Sequence, residues 1–356
     1  MKVGIVGLPN AGKSTLFNAL TRAAAETAVY PFTTVEPNVA VVEVPDERLE
    51  PIARVTGASP TIHETIEFID IAGLVRGASE GEGLGNRFLA QIRETDAICH
   101  TVRAHGDEGV PHPDGRVDPA ADIAAVEEEL RRADLEQAER RLERVGKEAK
   151  GGSGEAVAEQ HWLETVIATL QEGGRAAEVP VPEEVRVAAA SLSLLSAKPV
   201  LYVANVDEGA AEVPDSVTAA AAPGSGALEI SARIEAELAE LEPIEADSMR
   251  GELGIGEPGL PRLIRAAYEL LELITFFTAH PGAEARARSL RRGSSAYEAA
   301  GKVHTDIQAG FVRAEVIGWS ELVDAGGYGP ARERGLLRTE GRDYVVEDGD
   351  VVTIRH

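Results

Sequence analysis

Short runs of apolar residues alternate along the chain with stripes of apolar residues at helical spacing, the pattern of buried strands covered by helices. Val3, Ile5 and Val6 form a β-branched run suited to a buried strand, and Leu16, Phe17 and Leu20 follow at helical spacing. The strand signal returns at Val39 to Val44, Ile66 to Ile71, Asp96 to Val102 and Lys198 to Ala204, with a further strand end at Leu228 to Arg233. Between the last two runs the period changes. Ile123, Val126, Leu130, Leu135, Ala138 and Leu142 make the stripe of a long charged helix from Asp118 to Arg144. Lys150-Gly-Gly-Ser-Gly154 breaks it, and Leu163, Val166, Ile167 and Leu170 resume a helix over His161 to Gln171. The two helices predict an antiparallel hairpin inserted between sheet strands, with its charges on solvated faces.

A helix from Leu260 to Leu273 closes this half, and a small mixed unit begins near Ile274. Phe276-Phe277-Thr278 starts it and Ala299 to His304 opens a helix. Two β-rich segments, Val312 to Ile317 and Tyr344 to Ile354, finish it around an Asp348-Gly349 turn. The expected domains are 1–117 with 196–273 as an α/β domain, 118–195 as a helical insertion, and 274–356 as a small independent domain.

Composition narrows the setting. A formal charge of -25 over 356 residues argues against binding DNA or RNA through the overall field, so any RNA contact has to be local. The acidity reads mainly as solvated surface. Residues 272–356 carry only -2 of that charge, which makes this tail the better candidate for touching RNA. The single cysteine, Cys99, excludes an internal disulfide. No apolar run approaches the roughly 20 residues of a membrane span, and the chain opens on a strand rather than a signal segment; the expectation is a soluble, cytoplasmic protein without a membrane partner.

The chemistry concentrates at the first strand–helix junction. Gly7-Leu-Pro-Asn-Ala-Gly-Lys-Ser14 fits G-x-x-x-x-G-K-[ST] between a strand and a helix, the context of a P-loop. Glycines let backbone N–H groups converge on phosphate, and the helix N-terminus adds its positive end. Asn10, Ala11, Gly12, Lys13, Ser14 and Thr15 are the candidate phosphate-binding residues, with Lys13 reaching the β/γ-phosphates and Ser14 holding Mg2+. The segment 30–38, marked by Pro31 and Pro37, lies where switch GTPases supply a threonine to Mg2+; Thr34 is the choice, with Thr33 beside it as the alternative. Asp70-Ile-Ala-Gly73 follows a buried-strand run in the D-x-x-G form, so that Asp70 approaches Mg2+ through water and the Gly73 N–H meets the γ-phosphate. Leu74 stands where many GTPases carry the glutamine that orients water, and Gly77, Gly81, Gly83 and Gly85 suit a switch loop.

Gly7 to Ser14, Asp70 to Gly85 and Asn205-Val-Asp-Glu208 together resemble the YchF subfamily of Obg-like P-loop proteins, in the TRAFAC class. Ala299 to Asp306 and Gly310 to Ala314 look like that family's TGS domain, a ubiquitin-like β-grasp module. The resemblance spans essentially the whole chain and departs from the family pattern at Ala11 and Ala40. It implies an α/β P-loop fold of the Ras-like G-domain type with an inserted helical hairpin and a C-terminal β-grasp domain. It further implies a cytoplasmic hydrolase that prefers ATP to GTP, associates with ribosomes, and acts in translation and stress responses. Potassium is the implied activating cation, with Asn10 at the position that holds it in related GTPases; His112 aligns with a family histidine that helps to position water.

Base preference also follows from the residues. Guanine-specific proteins use N-K-x-D, whose aspartate accepts from guanine N1–H and the exocyclic amine. Here Val206 replaces the lysine and Glu208 the aspartate. Adenine lacks that paired donor set, and a matched pair is worth roughly 1–3 kcal/mol. Asn205 on the N7 edge, Val206 on the ring and the backbone of Ser231, Ala232 and Arg233 complete the expected pocket. ATP is favoured, with an Obg-type GTPase as the alternative. Either an ATPase whose turnover matters or a nucleotide-gated binding module fits, and Leu74 favours slow hydrolysis.

Overall fold

The computed structural model describes residues 1–27, 38–71, 84–107, 109–210 and 212–356. They fall into two compact units, Met1–Val42 with Glu67–Leu263, and Glu43–Ile66 with Ile264–His356.

The first unit is built on a six-stranded sheet in the order Val39–Glu43, Thr65–Asp70, Lys2–Val6, Ala97–Arg103, Val200–Asn205, Gly226–Ile230. The last five strands are paired in parallel. Ala97–Arg103 and Val200–Asn205 are buried at every position, as central strands covered on both faces must be. The register sets Ile5 beside Asp70 and Cys99, Arg103 beside Asn205, and Asn205 beside Ile230. The sequence motifs therefore all leave the sheet at its carboxyl edge, where ligands of open α/β sheets bind.

The long helix, Pro119–Ala149, is capped by Asp118, whose side chain accepts from Ala121 N, with Pro119 at its first position. Its first half sends Ile123, Val126 and Leu130 into the core beneath Val6, Ile98 and Tyr202. Its second half packs Ala138 and Val145 against Trp162, Leu163 and Val166 of the helix Gly154–Gln171. The hairpin is thus as expected, but its charge is not all solvated. Asp134 is fully buried and accepts from Leu195 N, Ser196 N and Ser196 Oγ at 2.8, 2.7 and 2.7 Å. Glu159 accepts a two-pronged contact from Arg141 at 2.6 and 2.8 Å. These carboxylates fasten the hairpin and its return segment by charge-assisted hydrogen bonds.

The second unit is a mixed sheet in the order Arg338–Glu340, Arg313–Gly318, Asp350–Arg355, Leu273–Ala279, Ala285–Arg291, Thr61–Ile62. Its central pair, Leu273–Ala279 and Asp350–Arg355, is parallel and is flanked by antiparallel neighbours, a β-grasp arrangement. Successive residues of a strand face opposite sides, so Phe276 joins Leu290, Ala299 and Val352 under the helix Ala296–Val303, while Phe277 joins Leu49, Ile52 and Ile317 on the other face. The expected Asp348-Gly349 turn is present, with Gly349 at φ 90° and its N–H donated to Thr275 O. The helix Leu49–Thr56 and the strand Thr61–Ile62 belong here by packing. The sequence boundaries place them in the first domain; the structure assigns 43–66 to the second unit because Leu49 and Ile52 are buried in its core.

Candidate nucleotide site

The loop after strand Lys2–Val6 has the backbone a phosphate cradle requires. Gly7 has φ +149°, and a side chain there would run into the Thr101 carbonyl; Gly12 has φ +98°, and a Cβ would strike the Asn205 amide. Asn10 is left-handed at φ 64°, a conformation its short polar side chain tolerates, and its Nδ2 donates to Pro111 O at 2.9 Å. The helix Lys13–Thr27 starts here, so its first N–H groups face the cleft. Lys13 is only 7% exposed and donates from Nζ to Leu8 O at 2.8 Å. Burial lowers the Lys13 ammonium from its ordinary pKa, and the neighbouring Asp70 carboxylate opposes that shift.

Asp70 ends the neighbouring strand within hydrogen-bonding reach of Ser14. Burial raises its carboxyl, while Lys13 and the Ser14 hydroxyl pull it back down. A serine hydroxyl and a carboxylate side by side are hard oxygen donors, the set that suits Mg2+. Thr34, its alternative Thr33, Gly73 and Leu74 lie outside the described residues, as does the glycine-rich stretch up to Gly83.

At the base end, Asn205 acts as a strap. Its Nδ2 donates to Ala11 O at 3.1 Å and its Oδ1 accepts from Ala232 N at 3.0 Å, joining the phosphate loop to the segment after strand Gly226–Ile230. Beyond these bonds Nδ2 keeps one N–H and Oδ1 one lone pair, and Asn205 also lines the cleft at the end where a base edge is expected. Ala11 is buried, and its visible contribution is that carbonyl. Val206 is 5% exposed and packs with Tyr202 and Ile123 in the sheet core, so it presents little of the expected ring-stacking face. Glu208 and Arg233 approach to 3.6 Å at the mouth, both largely exposed. Ser231 and Ala232 open the helix that ends this edge.

Asn205, Val206, Glu208, Ser231, Ala232 and Arg233 line a cleft of about 870 Å³ together with Asn10, Gly12, Lys13, Ser14 and Thr15. Its remaining wall is His105, Gly106, Asp107, Val110 and Asp207, which sequence reasoning missed. The local signal is Arg103, a cation closing a strand that is buried at every position. His112, next along, has both ring nitrogens engaged by the protein. Its Nδ1 accepts from Asp114 N at 3.1 Å, which makes Nε2 the protonated nitrogen, and that donates to Asp122 Oδ2 at 3.0 Å. Ligand atoms of His112, Asp114 and Asp122 lie within 4.8 Å of one another, but the same tautomer denies a metal the Nε2 lone pair.

Known proteins resemble this chain over essentially its whole length. A profile described as a 50S ribosome-binding GTPase matches residues 2–144, and the profile of the C-terminal region of YchF-type GTPases, described as a protein of unknown function, matches 273–356. The chain is 48% identical to the ribosome-binding ATPase YchF of Escherichia coli O157:H7 over 355 residues, covering 99% of this chain and 98% of the relative. It is 46% identical to the protein of the same name from Bacillus subtilis (strain 168) over 362 residues, covering 100% and 99%. The solved YchF GTPase of Schizosaccharomyces pombe superposes with a TM-score of 0.87 at 34% identity, covering 100% of this chain and 97% of that one.

Proposed function

This chain belongs to the YchF family, and on that footing we propose that it is a ribosome-binding ATPase that converts ATP and water to ADP and phosphate, slowly in the absence of a partner. The observation that carries this reading is a buried lysine inside a glycine-bent loop, next to a Ser14–Asp70 pair and strapped by Asn205 to a base end that bears Glu208.

Each residue has a role in phosphoryl transfer. The loop N–H groups and Lys13 hold the β/γ-phosphates and stabilise charge that grows there in the transition state. Low exposure makes the lysine's field strong, since little water screens it. Ser14 and Asp70 would hold Mg2+, with Thr34 as the further hydroxyl from the switch segment. When bound, that ion neutralises charge on the β- and γ-phosphate oxygens. Asn10 spends its amide N–H on Pro111 and keeps its oxygen for a monovalent cation, K+, in place of an arginine finger. The Gly73 N–H meets the γ-phosphate, and Leu74 after it orients no water; hydrolysis therefore times attachment to the ribosome rather than running freely.

Glu208 sets the base preference. A carboxylate one methylene longer than the guanine-reading aspartate, and drawn toward Arg233, loses the paired contact to guanine N1–H and amine, so ATP is held in preference to GTP. The protein works in the cytoplasm, where ribosomes are. No described helix is long and apolar enough to cross a membrane. The test is turnover of ATP and of GTP in potassium and in sodium buffers, with and without ribosomes. Faster ATP turnover in potassium, raised further by ribosomes, is the expected result; equal rates for both bases and both cations would refute the reading.

A further inference from the structure

Arg103 is 3% exposed, yet among the described residues no carboxylate forms an ion pair with it. Its guanidinium is spent on backbone carbonyls of the next turn of chain: NH1 donates to Val110 O at 2.7 Å, NH2 to Asp107 O at 2.7 Å, and Nε lies 3.5 Å from His105 O. Burying a cation is costly, and such a group persists where its hydrogen bonds fix something the fold needs.

What it fixes is the wall of the cleft. His105, Gly106, Asp107 and Val110 line the space beside Asn205 and Asp207. Gly106 N donates to Asp207 Oδ2 at 2.9 Å, so the wall is tied to the base end. One residue beyond Val110, the Pro111 carbonyl takes the Asn10 amide, so the same segment is tied to the phosphate loop. Arg103 itself pairs in register with Asn205, and Ala104 N donates to Asn205 O at 2.9 Å. One buried guanidinium thus sits under three tethers that reach both ends of a nucleotide.

We propose that Arg103 is a positioning residue for nucleotide binding: it shapes residues 105–107 and 109–111 so that they wall the cleft and hold Asn10 over the phosphates. The inference rests on the ATP-binding reading given above. A planar fork with donors in fixed directions suits three divergent carbonyls, and an ammonium does not reproduce it. Arg103→Lys therefore keeps the charge and loses most of the geometry.

The test uses full-length protein and calorimetric titration with ATP and with inorganic tripolyphosphate, whose binding reads the phosphate end alone. Wild-type protein that binds no ATP would defeat the functional reading itself. If it binds, Arg103→Ala and Arg103→Lys should weaken ATP and tripolyphosphate together, about tenfold or more for alanine, the loss expected on removing a charged donor's hydrogen bonds. Free guanidinium at low, non-denaturing concentration should recover part of the affinity in Arg103→Ala and none in wild type, which general stabilisation by the side chain would not produce. A folded Arg103→Ala protein that binds both ligands like wild type overturns the proposal. So does one that loses ATP alone, or one whose loss guanidinium leaves untouched.

Discussion

Removing the Asn205 strap should loosen the protein before any nucleotide is added. Asn205→Ala deletes two buried hydrogen bonds, to Ala11 O and from Ala232 N, at 3.1 and 3.0 Å. Each such bond contributes about 1 kcal/mol net, and a partner left dry costs about 1–3 kcal/mol. The cleft admits water beside Ala232, so the lower part of that range applies and about 2 kcal/mol is expected. In a unit of this size that corresponds to a fall of about 4–8 °C in Tm. Asn205→Asp tests the direction of the bonds: it still accepts from Ala232 N but turns an acceptor toward Ala11 O, so it should be at least as destabilising at neutral pH. Scanning fluorimetry without ligand reads the effect, and titration with ATP reads its consequence. An unliganded Asn205→Ala protein that melts like wild type but binds ATP weakly would refute the strap and leave Asn205 with the base-edge role alone.

Four further outcomes follow from the same geometry. Lys13→Ala should abolish most ATP hydrolysis without lowering Tm, because it removes a charge that burial disfavours; turnover near wild type would show that the loop is not the phosphate site. Glu208→Asp should raise GTP affinity relative to ATP, and a constant affinity ratio would move base choice to the backbone at 231–233. His100 is 1% exposed, its Nε2 has no hydrogen-bond partner among the described residues, and burial pushes its pKa down to about 3. The unfolded chain takes up a proton below pH 6.5 that the native state refuses, so stability falls as pH drops, by about 2 kcal/mol between pH 8 and pH 5; His100→Phe should remove that loss in urea titrations, and an unchanged acid slope would count against it. Arg291 and Arg292, exposed at the end of a strand in the least acidic part of the chain, should touch ribosomal phosphates. Arg291→Glu with Arg292→Glu should lower the salt concentration at which the protein leaves ribosomes in co-sedimentation, and an unshifted midpoint would acquit the pair.

Local chemistry was readable from the sequence because its constraints are local. The glycine spacing of the loop, the carboxylate at the end of an apolar run, and the largely apolar runs of the central strands are each patterns among neighbours within a few residues. Asn205 was found by its motif, but its role was not, since its partners Ala11 and Ala232 are ordinary residues that offer backbone atoms. The wall formed by His105, Gly106, Asp107 and Val110 was missed for the same reason: Arg103 binds carbonyls, which every residue has. A lone histidine between prolines says nothing of its tautomer, and only the Asp114 N–H and Asp122 reveal that His112 is occupied. Asp134 and Glu159 sit on the two helices of the hairpin, whose charge pattern resembles a wet face; their burial depends on the partner helix and the return segment.

The allegiance of residues 43–66 also sets the timing of folding during synthesis. Leu49 and Ile52 leave the ribosome early, whereas Phe277, Ile317 and Val351, against which they are buried, come roughly 200 residues or more later. At about 5–20 residues per second that interval is roughly ten seconds or longer, against about a microsecond for a helix to form. Throughout it, an amphipathic helix between two strands of the nucleotide sheet has its apolar face and no sheet to cover it. A nascent chain halted anywhere in that interval would be a client for chaperones, held open by the one segment that cannot yet find its partner.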